Sequence, residues 1–187
     1  MQSFLTHISN KYVTLFFILL LGFSCSDETS PLVNIGPKSS IVLIGNNLGS
    51  RMMHYGYFET EMHVRFPDDS LTIRNMCDAG DTPGFRPHSS RNTPWAFPGA
   101  EKFQSELAKS SGSEGIFDYP DEWLSRLKAD IVIGFFGYNE SFEGPSGLES
   151  FKNELQAFIE HTKAQKYNGT DSPELVLVSP IAFENLS

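Results

Sequence analysis

Three short segments gather the groups in this chain that could do chemistry. Gly45-Asn46-Asn47-Leu48, Ala79-Gly80-Asp81-Thr82 and Gly137-Tyr138-Asn139-Glu140 each come shortly after a run rich in apolar residues. Carboxamides and glycine amides donate hydrogen bonds, while the carboxylates of Asp81 and Glu140 accept them, so together they could line a polar pocket. Trp95 and Tyr138 would add flat stacking surfaces to it. The plain alternative is turn chemistry, because Gly and Asn collect wherever strands end and chains reverse. That explains any one segment easily and three in series less easily. The other reactive side chains carry less. Cys77 follows an apolar stretch and reads as a small buried hydrophobe rather than a nucleophile. His54, His63, His88 and His161 have no metal-ligand spacing beside suitable Asp or Cys, so each reads as a surface or helix-face residue, and neither metal nor cofactor is expected.

The elements that must position these segments follow from hydrophobic pattern. Ile41-Val42-Leu43-Ile44, stopped by Gly45, predicts a strand buried on both faces. Leu71 to Met76, Ile131 to Phe136 and Leu175 to Val178 predict three more, the last ended by Ser179-Pro180. Met52, Tyr55, Phe58, Met62 and Phe66 recur at helical steps and predict one helix closed by Pro67. Cys77 to Gly99 predicts a long loop holding Phe85, Arg86, His88, Arg91, Trp95 and Phe97, and loops of that length are often functional. Ala100 to Lys109 and Asp121 to Lys128 predict short helices. Leu148, Phe151, Leu155, Phe158, Ile159 and Thr162 form an apolar stripe with Lys152, Asn153, Glu154 and Glu160 off it, predicting a helix from Gly147 to Lys166. Strands alternating with helices imply an α/β fold, a parallel sheet covered on both faces, whose site lies outside the carboxyl ends of the strands. That rule selects the same three segments.

The chain has 187 residues, 40% hydrophobic, enough for one packed domain. Lys plus Arg number 14 against 23 Asp plus Glu, a net charge of −9, which disfavours nucleic acid as a partner. Lys11 precedes the apolar run Val13 to Phe23, of about 11 residues against the roughly 20 of a spanning helix, and this predicts an export signal. Gly22-Phe23-Ser24-Cys25-Ser26-Asp27 resembles the end of a bacterial lipoprotein signal, with Cys25 as the lipid anchor to a membrane. A plain cleaved signal or a short uncleaved anchor are the other readings. Residues 26–40, with Asp, Glu, Ser, Thr, Pro and Gly and no periodicity, predict a flexible tether, and the domain is expected over 41–187. Asn139-Glu140-Ser141 and Asn168-Gly169-Thr170 fit the N-glycosylation pattern, which behind a bacterial-type leader is expected to be chance.

Taken in order at the ends of predicted strands, the three segments resemble the first three sequence blocks of the SGNH/GDSL hydrolase family. Asn47 falls on the serine of Gly-Asp-Ser-Leu, Gly80 and Asp81 on Ser-Gly-Asp-Thr, and Asn139 and Glu140 on Gly-x-Asn-Asp/Glu. The phrases Gly-Asn-Asn-Leu-Gly-Ser-Arg-Met and Phe-Gly-Tyr-Asn-Glu-Ser-Phe are similar to the hydrolase-like domain of large exported bacterial proteins that continue into a propeller and a haem-binding segment. The resemblance implies a three-layer α/β/α fold with a flavodoxin-like sheet, of which a further C-terminal strand and helix would lie beyond this chain. It implies an oxyanion hole built from the Asn47 amide, the Gly80 amide and the Asn139 side chain. It also implies a serine nucleophile and an Asp-x-x-His, neither of which this sequence supplies. A carboxamide is no nucleophile at neutral pH, and Ser50, three residues on in the following helix, is displaced by about 4.5 Å along its axis. Two functions remain open: an ester hydrolase acting, for example, on acetyl esters of carbohydrate through an adapted mechanism, or an inactive module that holds a sugar or ester. In the first, Asn47, Gly80 and Asn139 form the reacting centre and Asp81, Tyr138, Glu140 and Trp95 contact the substrate. In the second, Gly80, Asp81, Asn139 and Glu140 line a polar pocket with Trp95 and Tyr138 as stacking surfaces.

Overall fold

The structure, a computed structural model, describes residues 33–86, 94–104 and 118–181. The expected leader with Cys25, the start of the tether, His88, Arg91 and residues 105–109 of the expected helix from Ala100 to Lys109 lie outside them. Of the rest of that helix, Ala100–Lys102 forms a 3-10 turn.

Four parallel strands form one sheet in the order β2-β1-β3-β4. Strand β1 is Ser40–Gly45, β2 Thr72–Asn75, β3 Ile131–Phe135 and β4 Glu174–Val178. Every residue of β1 is buried, as expected for a β-branched run in mid-sheet whose alternate side chains must both find a core. Val42 and Ile44 point to one face with Val132, Phe136, Leu124 and Phe158. Ile41 and Leu43 point to the other with Ile131, Phe135, Leu71 and Cys77. Helices cover both faces, giving a mixed α/β architecture.

The second face is covered by α1 (Asn47–Met52) and α2 (Tyr57–Arg65). The single helix expected through Met52 and Phe66 is therefore two, broken at 53–56. Leu48, Met52, Phe58, Met62 and Phe66 do pack on the core, but Tyr55 turns outward and stacks on Tyr57 at 6.2 Å between ring centroids. The first face carries α3 (Pro120–Arg126) and the long α4 (Gly144–Ala164), the latter entered through a 3-10 turn over Glu140–Glu143. Among the described residues no helix is long and apolar enough to cross a membrane.

Three sequence expectations need correction. Residues 33–39, read as the end of a flexible tether, belong to the fold: Val33 and Ile35 pack on the second core, and the Asn34 amide donates to Glu174. The buried face of α4 is rotated from the expected stripe. Gly147, Glu154, Phe158 and Thr162 are its buried residues, while Leu148 is half exposed. Glu154, placed by its charge on the solvent side, is 2% exposed. The cause lies in the loop between β2 and α3, which runs along α4. Glu154 accepts from the Thr82 hydroxyl (2.7 Å) and the Gly84 amide (2.9 Å), the Arg86 guanidinium lies over the Phe158 ring, and Phe97 packs on His161. Steps of four and three residues put 154, 158 and 161 on one side of the helix, and that side faces the loop rather than water.

Candidate functional site

The cluster at the carboxyl ends of β1 and β3 begins with a glycine. Gly45 has φ +116°, and a Cβ there would strike the Phe135 backbone. Only glycine lets β1 and β3 approach this closely and still turn into α1. The Asn46 amide then donates to the Phe135 carbonyl (2.8 Å). An Asn at this position would ordinarily cap the helix that follows. Here the side chain makes no cap bond and is 1% exposed, donating instead to Glu140 Oε2 (3.3 Å). The same carboxylate oxygen accepts the Gly137 amide (2.8 Å). Gly137, at φ +106°, plays for β3 the part of Gly45, with Pro180 directly beside it.

Asn47 lies at the first position of α1, and its side-chain nitrogen is 3.4 Å from Asn139 Oδ1, a weak contact. Asn139 Nδ2 donates to the Ala79 carbonyl (2.8 Å) and to the Asp81 carbonyl (3.0 Å). The Gly80 amide donates to Asp78 Oδ1 (3.0 Å) in a local turn. The structure thus brings Asn47, Asn139, Glu140 and the 79–81 segment together, as the sequence suggested, but the donors are turned onto acceptors of the protein itself. The Asn139 N–H groups and the Gly80 amide are occupied within the protein. Asn46, which sequence reasoning passed over, is the most deeply buried member.

Electrostatics in this cluster run toward neutral carboxyls. Burial pushes the Glu140 carboxyl above its ordinary value, against the opposing hydrogen bonds from Gly137 and Asn46. Burial pushes Asp81 up strongly, with the Arg86 guanidinium opposing. Asp81 Oδ2 and Glu140 Oε1 are both shut off from solvent and have no hydrogen-bond partner. Burial likewise raises the Cys77 thiol far from any reactive range. Ser50 lies in α1 as expected, and its amide closes the first turn on the Asn46 carbonyl. Tyr138 is exposed and meets Phe142 edge to face at 5.3 Å.

Trp95 is elsewhere. Its ring packs on Phe85 (5.4 Å), and it lines a cavity of about 500 Å3 with Phe97, Glu101, Tyr119 and Asp121, a set that includes no member of the asparagine cluster. Behind that cavity lies a second polar group. His161 Nε2 is 2.8 Å from Asp121 Oδ2, and the Tyr167 hydroxyl donates to Asp121 Oδ1 (2.7 Å). His161, expected as an ordinary helix-face residue, is thus paired and its side chain is only 17% exposed. Burial works to raise Asp121, but the His161 and Tyr167 hydrogen bonds outweigh it and hold the carboxyl below its ordinary value. No periodicity could have revealed this group, since its members come from two helices and a turn. Among the described residues no set of His, Cys, Asp and Glu could hold a metal ion. Comparison of the chain with family models, with curated proteins and with solved structures gives no match in any of the three, so the reading of these sites rests on their own residues.

Proposed function

We propose that this chain is a ligand-holding domain of SGNH/GDSL-like architecture, which recognises a carbohydrate or one of its esters without cleaving it. The observation that carries the reading is Asn139, whose side-chain nitrogen already donates to two backbone carbonyls, at 2.8 and 3.0 Å. Oxyanion stabilisation needs donors aimed at the developing charge and not already satisfied. Gly80 offers none either, and Asn47 stands where a nucleophile would be required. The parallel strand order β2-β1-β3-β4 supports the architecture, being the order in which flavodoxin-like sheets begin. In the same reading the leader carries the domain out of the cytoplasm and Cys25 tethers it to a membrane.

A hydrolytic alternative would take its base from Glu140, whose raised pKa suits that role. Its unpaired oxygen is buried from water, which favours a structural part for the group. The test is hydrolysis of p-nitrophenyl acetate and of an acetylated oligosaccharide by the full chain, with Asn139→Ala beside it. Both proteins are expected to run at the buffer rate. Turnover that drops by about 10²-fold in Asn139→Ala, the scale of losing one oxyanion donor, would sink the proposal.

A further inference from the structure

We propose that the ligand's sugar ring is seated in the cavity between the Trp95 loop and α3, with Asp121 as its anchoring acceptor. This rests on the ligand-holding reading above and gives it a place. At about 500 Å3 the cavity falls within the range of small-molecule sites, whereas the asparagine cluster is closed on itself.

The lining has two kinds of surface. Trp95, Phe97, Tyr119 and Pro98 supply flat apolar faces, and Glu101 and Asp121 supply carboxylates. A pyranose has the same duality, one apolar C–H face and an edge of hydroxyl donors. Stacking on aromatic rings buries the first, and carboxylates take hydrogen bonds from the second at roughly twice the strength of neutral acceptors.

Asp121 is fixed before any ligand arrives. His161 holds one oxygen and Tyr167 the other, at 2.8 and 2.7 Å, and each oxygen keeps a further lone pair for a ligand. Tyr167 is buried, and Phe97 packs on the imidazole at 5.9 Å, so neither support can swing away. An acceptor held in place by its neighbours costs less ordering on binding. The charge balance favours an uncharged ligand. Arg86 lies within electrostatic reach of Asp121 and offsets part of its charge, which weakens the case for an organic cation. Two carboxylates in the lining disfavour an anion.

The experiment uses the full chain carrying Trp123→Phe, so that Trp95 is the one tryptophan reporter. Maltose, cellobiose and N,N′-diacetylchitobiose are titrated to about 50 mM, a range that covers weak small-ligand affinities, with choline as the cationic probe. The Trp95 emission and its indole N–H resonance are followed together with the side-chain amide resonances of Asn47 and Asn139. At least one disaccharide is expected to shift both Trp95 signals saturably. Asp121→Asn is expected to weaken that binding by about tenfold, corresponding to 1.4 kcal/mol. Glu101→Gln, at an exposed position that cannot unfold the domain, should weaken it less, and Val64→Ala on α2 should leave it unchanged. A sugar that moves only the asparagine amides overturns the cavity and leaves the ligand-holding reading standing. Saturation by choline with no response to any sugar, or no response to any probe, overturns the cavity as well. Ester turnover sensitive to Asn139→Ala, with sugar still seated at Trp95, would overturn the non-cleaving reading alone.

Discussion

The asparagine cluster and the Trp95 cavity are built from similar side chains and do opposite things with them. In the cluster, Asn46, Asn139, Glu140 and the backbone of residues 79–81 bond to one another beyond the ends of β1, β2 and β3, and the result is a clasp. In the cavity, Asp121 is bonded from behind by His161 and Tyr167, while its other side faces open space among aromatic rings. Polar side chains at the end of a parallel sheet need not form a site. What separates a site from a strut is whether unengaged donors and acceptors lie where a ligand can reach them. Asp81 Oδ2 and Glu140 Oε1 lack partners in the cluster but are shut off from solvent, whereas Asp121 lines the open cavity.

The largest effect that would break this contrast comes from Gly45→Ala. The new Cβ meets the Phe135 backbone and the residue must hold φ +116°, which together should cost about 3 kcal/mol or more. For a domain of this size that lowers Tm by about 10 °C, read by thermal unfolding. The loss should fall on the clasp first, with the Asn139 amide resonances moving more than the Trp95 indole.

Glu154→Ala tests whether the two regions are joined. It strips the acceptor from the Thr82 hydroxyl and the Gly84 amide, both buried, for about 2–3 kcal/mol. Because the same loop leads from Asp81 to Trp95, both regions should loosen, visible as faster amide exchange at 82, 84–86 and 95–97. Glu154→Gln keeps an acceptor oxygen and should recover most of the loss.

The smallest effect is the sharpest in sign. Glu140 and Glu154 have folded-state pKa values raised by burial, so the folded protein holds their protons more tightly than the unfolded chain does. Their contribution is present below the ordinary carboxylate range and is lost as pH rises through the raised values. Asp121 is lowered by His161 and Tyr167, so its contribution is present above the ordinary range and lost as pH falls through its lowered value. Glu140→Gln should therefore flatten the stability profile on the side above about pH 4.5, and Asp121→Asn on the side below about pH 4. Urea midpoints across pH distinguish them, and identical profiles for the two variants would erase the contrast.

How much of this was readable in the residues depended on whether polarity and position agree. The strands are found to within about one residue, because β-branched runs such as Ile41 to Ile44 have few other places to go in a chain of this pattern. The three turn segments were located by strand-end logic and do converge. The buried face of α4 is not legible, because a carboxylate in a helical pattern reads as solvent-facing. Nothing local distinguishes a Glu facing water from one meeting a hydroxyl and an amide seventy residues away. The His161–Asp121–Tyr167 group was missed for the same reason in stronger form, since its members meet only after α3 and α4 have packed on the sheet.

The glycine at the end of β1 also bears on how this chain can change. Because Gly45 and the Asn46–Phe135 backbone bond set the path of the chain, the position of Cα 47 is decided before its side chain is chosen. The side chain of residue 47 makes one weak hydrogen bond, at 3.4 Å. Substitutions there should be nearly neutral for folding, leaving that position open to selection: a hydroxyl could appear at the head of α1 by a single exchange, with the surrounding backbone already in place.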